Sequence, residues 1–321
     1  MNELARGVSA PATKKAISRR AGLWKRIKLQ RTWLLFLLPA FCLVLLFNYI
    51  PMVGLVMAFQ NYRANLGWFG SEFVGFTHFR AFLTDPEFYQ VLGNTLKISI
   101  LLLVFAFPAP ILLALCLDNI RNEKFKKVTQ TISYLPHFIS WVVMAGLVYR
   151  ILDVDTGIIN VIVRALGGDP IPFMRSPEMF VPIVVVVDVL KEVGWNSIIF
   201  LAAITNIDPS LYDAATVDGA GKLKTIRYIT LPGIGPTIGT MLILRVGSMM
   251  NVNFDMIFNL RNPMVNNVAN VLGTFVYEKG ILRGQFPYAT AVGLVQGLVS
   301  VFLVFFSMRV ANKVSGESYI V

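Results

Sequence analysis

"LYDAATVDGAGKLKTIRYITLP", Leu211–Pro232, is a polar island in a chain that is otherwise mostly apolar. It carries three cations, two acids and two glycines, and long apolar runs flank it on both sides. Ahead of it, Asp208-Pro209 reads as a helix start, with an acid at the N-cap and proline at the first helical position. Ile207 and Tyr212 occupy the positions of a hydrophobic staple around that cap. Alanines 214 and 215 follow, and Gly219 is placed to end the short helix. Beyond it, Leu223, Ile226 and Ile229 recur every three residues with Lys222, Lys224 and Arg227 between them. That pattern predicts a second short amphipathic helix at a membrane surface. Pro232 then starts the next apolar run.

Composition makes the membrane the expected solvent. Of 321 residues, 55% are hydrophobic and 15% charged, and the mean hydropathy is +0.64. A soluble domain needs a far more charged surface. A helical span takes about 20 mostly apolar residues. Six runs qualify: Trp33–Phe59, Val91–Leu117, Thr131–Leu152, Met179–Ile207, Pro232–Val252 and Phe286–Val310. The expected fold is an all-α membrane protein of six transmembrane helices with both termini on one side.

The net charge of +11 does not point to nucleic acid, because of where the cations lie. Nine of the 29 fall between Arg6 and Arg31, ahead of the first run. Together with Asp118–Gln130, Asp208–Leu231 and the tail (Arg309, Lys313), that side holds 18 of them. The more basic side is the cytoplasmic one, so the island faces the cytoplasm. The leading segment is too long and basic for a cleaved signal, and the first run reads as an uncleaved span. The chain therefore divides into a basic cytoplasmic segment 1–32, a transmembrane domain 33–310 containing the loop 208–232, and a cytoplasmic tail 311–321. Cys42 and Cys116 lie inside apolar runs and imply no disulfide framework.

The outer loops are longer, and "NLGWFGSEFVGFTHFRAF" within Asn61–Gln90 suits the membrane interface. Asp153 and Asp155 lack the further ligands a calcium site needs. His78 and His137 stand without metal-ligand company, so no metal site is expected, and His137 reads as structural. Ala289, Gly293 and Gly297, and likewise Gly235 and Gly239, recur every four residues, a spacing that allows close helix packing.

"GAGKLKT" imitates a phosphate-binding loop, but Leu223 follows Lys222, Thr216 stands where the first glycine belongs, and no strand precedes it. The chain is not expected to bind ATP. The order Asp213-Ala214-Ala215, then Gly219, then Ile229-x-Leu231-Pro232 instead resembles the E-A-A, three residues, G, nine residues, I-x-L-P signature of bacterial binding-protein-dependent ABC importer permeases. Asp213 departs from the usual glutamate: the charge is kept and the reach is one methylene shorter. "NYIPMVGLVMAFQNY", "GNTLKIS", "YLPHFISWVV", "GWNSIIFLAAI" and "FPYATAVGL" are similar to the polysaccharide and complex-oligosaccharide permeases of the carbohydrate-uptake class, the alginate-importer type among them.

The resemblance implies a type I ABC importer permease fold in the bacterial cytoplasmic membrane. It also implies a second, homologous permease subunit in a heterodimer, two ATPase subunits that use ATP and magnesium, and an extracytoplasmic solute-binding protein. This chain itself would bind no cofactor and would not be an enzyme. Its island would be the coupling element, with Tyr212, Asp213, Ala214, Ala215, Asp218, Gly219, Lys222, Leu231 and Pro232 meeting the ATPase. The two alanines make a thin helix that can enter a groove, and the cations suit acidic surface or lipid headgroups.

The fourth run carries Asp188, Lys191 and Glu192, whose spacing puts them on one helical face with Trp195 a turn further. Ionised groups at membrane depth cost about 2.5–3.5 kcal/mol each, so they should face a cavity or partners. Arg245 lies on the order of 20 Å into the fifth run, and Glu192 enters from the opposite side to a similar depth, so the two could meet near the midplane. Two readings stay open. These groups with Asn196, Asn251 and Asn253 line a polar path for a hydroxyl-rich substrate, or they are internal ion pairs that fix helix packing. A uronate-bearing oligosaccharide would suit Lys191 and Arg245, although paired charges leave no net charge for it. The competing function is a proton-coupled secondary transporter using Asp188 and Glu192.

Overall fold

The computed structural model describes residues 30–315, and the chain divides into two compact units, Met1–Val56 and Met57–Val321. Most of the expected basic segment 1–32, and of the tail 311–321 the residues after 315, lie outside the described residues. The described residues of the first unit belong almost entirely to the helical run Arg31–Phe59, which has a mean hydropathy of 2.3 and no buried residue in its most apolar window. Leu, Phe and Val point outward all round it, which water would penalise and lipid does not.

In the second unit, Gln60–Asn61 and Glu72–Phe73 form a short antiparallel ribbon, followed by the helix Thr77–Leu83. Asp85 caps the next helix through the Glu87 amide at 2.9 Å, with Pro86 at its first position. Pro86–Asp118 then runs for 33 residues at a mean hydropathy of 2.8. The third expected span is not straight. Glu123–Phe138 and Trp141–Ile151 meet at 102°, because Ile139 is extended and Ser140 caps a fresh helix. An apolar run that continues through the corner hides it from a hydropathy reading.

Pro177–Thr205 is one helix of 29 residues. Among the described residues, three helices are long and apolar enough to cross a membrane, or five if each bent pair is one span. Pro177–Thr205 is long enough as well, and it differs from them in carrying Asp188, Lys191 and Glu192 at its middle. The surface helix Lys222–Gly233 bends by 61° into Gly235–Gly247. Pro232 therefore lies in the last turn of the surface helix instead of opening the span. Phe286–Ser315 is the final helix.

Two apolar cores are strung along Pro177–Thr205. One gathers Phe180, Val184 and Val187 with Met256, Ile257 and Leu260. The other gathers Phe200 and Ile204 with Ile111, Leu115 and Ile234. A third joins Phe82, Phe88 and Val91 to Phe275 and Val292.

The glycine stripes play a smaller part than their spacing suggests. A Cβ at Gly235, Gly293 or Gly297 would meet nothing within 4 Å. Close approach occurs elsewhere: a Cβ on Gly194 would overlap the Ser133 carbonyl, one on Gly247 would strike Val304, and one on Gly280 would come within 2.8 Å of Ala289. Ala289 is thus a stripe member that does make a close contact, to Gly280.

Candidate functional site

Asp188, Glu192 and Asn196 recur every four residues on Pro177–Thr205 and so share one face. That face borders a cavity of about 790 Å³. Ser99, Leu102 and Phe107 form another wall, Met241 to Asn253 a third, and His137 and Trp141 stand at the corner of the bent helix pair. The cavity lies between the two cores that share the long helix, so polar groups and space replace apolar packing only at mid-helix.

Lys191 is buried and fully engaged. Its Nζ donates to the His137 carbonyl at 2.6 Å, pairs with Glu192 Oε1 at 3.3 Å and stands 5.2 Å above the Trp141 ring. The His137 carbonyl sits where the helix breaks and loses its usual amide partner, so the ammonium fills a vacancy in the backbone ladder. The second Glu192 oxygen lies 2.8 Å from His137 Nδ1. The His137 ring stacks flat on Trp195, centroids 4.5 Å apart and planes 1° from parallel.

These contacts correct one expectation. Glu192 does not meet Arg245, because Lys191 and His137 already hold both its oxygens. Arg245 Nη2 instead faces Asp188 Oδ2 at 3.8 Å. Trp195 also differs from the other path candidates, since its side chain packs on His137 and Phe138 and is not part of the cavity lining. Asp188, Lys191, Glu192, Asn196, Arg245, Asn251 and Asn253 all line the cavity. Asn251 Oδ1 accepts from Gln296 Nε2 at 2.6 Å, and Asn253 caps a helix through the Met256 amide at 3.0 Å.

Sequence reasoning missed His137 and Trp141 as cavity residues, along with Ser99 and Asp255. A signal was present for the first two. Pro136 followed by Ser140 is a stop and a fresh N-cap, which would have put His137 at a corner instead of inside a span.

The island forms the two helices expected. Asp208 accepts from the Ser210 amide at 2.9 Å and opens Pro209–Val217, and that hydrogen bond holds its carboxyl below the usual carboxylate range. The helix ends in a Schellman motif: the Ala220 amide reaches the Ala215 carbonyl at 2.8 Å and the Gly219 amide the Thr216 carbonyl at 3.1 Å. Gly219 has φ +71°, a conformation that costs a side chain. The Tyr212 hydroxyl lies 3.2 Å from Thr230 Oγ1, so the two helices are tied together. Ile207 packs against the core of Phe200, Ile204 and Ile234 and across Gly233. Asp213, Ala214, Asp218, Gly219 and Lys222 are exposed, as are Val217 (88%) and Leu223 (80%), so the turn between the helices presents a knob with apolar flanks. Gly221 and Lys222 open a short helix, and the element immediately before them is the helix Pro209–Val217.

Comparison with known proteins covers both regions. Residues 106–315 match the family described as the binding-protein-dependent transport system inner membrane component. The chain is 41% identical over 295 residues to protein LplB of Bacillus subtilis (strain 168), covering 92% of this chain and 93% of that one. It is 43% identical over 288 residues to the polygalacturonan/rhamnogalacturonan transport system permease protein YteP of the same organism, covering 90% of each. Among solved structures it is similar to a chain of a bacterial alginate ABC transporter in complex with an alginate pentasaccharide-bound periplasmic protein. That likeness has a TM-score of 0.85 at 38% identity and covers 92% of this chain and 99% of that one.

Proposed function

The chain belongs to the binding-protein-dependent transport system inner membrane component family, and from that premise we propose that it is a permease subunit of an ABC importer for oligo- or polysaccharide. It is a multi-pass protein of the cytoplasmic membrane and not itself an enzyme. The observation that carries the reading is the cavity of about 790 Å³ at mid-helix, where charged and amide side chains share the walls with apolar ones. Hydroxyl-rich substrates need hydrogen-bonding walls in place of lipid-like ones, and Asn196, Asn251 and Asn253 supply them beside the charged groups. Relatives named for polygalacturonan/rhamnogalacturonan and for alginate support a saccharide.

In this proposal six spans place both termini in the cytoplasm, and a second, homologous permease completes the path. Two separate ATPase subunits hydrolyse ATP with magnesium, and an extracytoplasmic binding protein delivers substrate. The exposed knob at Val217–Lys222 enters the ATPase, with Tyr212, Asp213, Ala214 and Ala215 behind it. Because Tyr212 is tied to Thr230, and the helix containing Thr230 leads through Leu231 and Pro232 into Gly235–Gly247, movement of the knob reaches the helix that holds Arg245. Alternating access follows from ATP-driven motion transmitted along that line.

The test is co-purification, followed by ATP hydrolysis measured with the binding protein and a panel of oligosaccharides. Recovery of ATPase subunits whose turnover rises with one saccharide is the expected result. Failure to recover any ATPase subunit overturns it.

A further inference from the structure

Arg245 is the anomaly of the cavity. Lys191, the other cation there, is 5% exposed at its side chain and has three partners, whereas Arg245 is 39% exposed and has one, Asp188 at 3.8 Å. That separation is too long for a hydrogen bond. A guanidinium carries five N–H donors in a planar fork, and among the described residues none of those on Arg245 has a hydrogen-bond acceptor. A guanidinium that faces open space and is only loosely paired is placed to meet an anionic group that enters the cavity.

We propose that Arg245 is a specificity-determining residue that reads a carboxylate on the sugar, so that the substrate is an acidic, uronate-type saccharide. The inference rests on the saccharide-importer reading above and names the substrate class for it. Planar bidentate pairing with a carboxylate is what the guanidinium fork does best. At 3.8 Å the Asp188 contact is an ion pair that takes up no hydrogen bond of the fork, so a two-donor edge, Nη2 with Nε or Nη2 with Nη1, remains for the ligand. Asp188 therefore keeps its counter-charge while the sugar binds, and no buried carboxylate is left alone. Glu192 does not compete for the fork, since Lys191 and His137 hold both its oxygens. Asn196, exposed on the Asp188 face, offers amide groups to sugar hydroxyls next to the carboxylate.

The experiment uses the complete transporter in cells. Uptake of labelled oligogalacturonides is compared with uptake of the same oligomers partly methyl-esterified, and each value is normalised to assembled complex. Because both substrates pass through one binding protein, the ratio of variant to wild type isolates the permease. Arg245→Gln is expected to reduce uptake of the acidic oligomer about tenfold more than that of the ester, the scale of a charge-assisted hydrogen bond. Arg245→Lys keeps the ion pair with Asp188 and serves where the glutamine variant fails to assemble. It is expected to lose most of the same preference, because an ammonium cannot fork. Equal losses on both substrates, or no loss, overturn the proposal while leaving the importer reading intact. Wild-type cells that take up neither these oligomers nor any other saccharide overturn both.

Discussion

His137 and Glu192, 55 residues apart in sequence, meet at 2.8 Å across the break between two helices. With Lys191 bonded to the His137 carbonyl and Trp195 stacked on its ring, the corner of the bent pair is fastened to the long helix at three points. His137→Ala is expected to leave a partly buried carboxylate oxygen without its partner, lowering stability by about 1–3 kcal/mol. Thermal unfolding of the purified protein reads this, and His137→Asn should recover part of the loss. An unchanged midpoint for the alanine variant would show that the corner is held by other contacts.

Gly194 is where the long helix passes the Glu123–Tyr134 helix, with no room for a Cβ beside the Ser133 carbonyl. Gly194→Ala is expected to cost about 1–3 kcal/mol or more through overpacking against rigid backbone. Gly293→Ala, which meets open space within this chain, should leave the purified chain's unfolding midpoint unchanged. The two variants compared in one unfolding assay separate true close approach from small-residue spacing.

Gly219 turns the island at φ +71°. Gly219→Ala should destabilise the turn by about 1–2 kcal/mol, and Gly219→Asn by less, since asparagine tolerates the left-handed region. Uptake should fall in that order while the amount of protein in the membrane stays constant. Normal uptake by the alanine variant would remove the knob from the coupling path.

The Asp208 carboxyl is held below its usual range by the Ser210 amide. A folded-state value below the unfolded one gives stability that is present above the ordinary carboxylate range and lost as pH falls through the folded value. Amide hydrogen exchange in Pro209–Val217 should therefore be faster in Asp208→Ala than in wild type at neutral pH. The difference should close as pH drops below about 4. A difference that is independent of pH would mean the cap does not act through its charge.

Much of this was legible in single residues. Asp208-Pro209 and Gly219 state a helix start and stop locally, and the helix Pro209–Val217 starts and stops there. The spacing of Asp188, Lys191 and Glu192 placed them together on one helix because side-chain direction there follows from periodicity alone. What was illegible is pairing across elements. Arg245 could take Asp188 or Glu192 as far as depth could tell, and the choice depended on His137, whose approach needs a corner that an unbroken apolar run conceals. Gly235, Gly293 and Gly297 show a related limit: spacing shows that a face is flat, but not whether a helix of this chain lies on it.

The central claim is that this chain moves saccharide with work supplied by a separate ATPase. The most direct measurement is uptake of labelled oligogalacturonide by cells whose partner ATPase carries a substitution that abolishes hydrolysis but permits assembly. Uptake should vanish there and be insensitive, in wild type, to collapse of the proton gradient at constant ATP. Uptake that persists without hydrolysis and disappears with the gradient would contradict the account and favour proton coupling through Asp188 and Glu192.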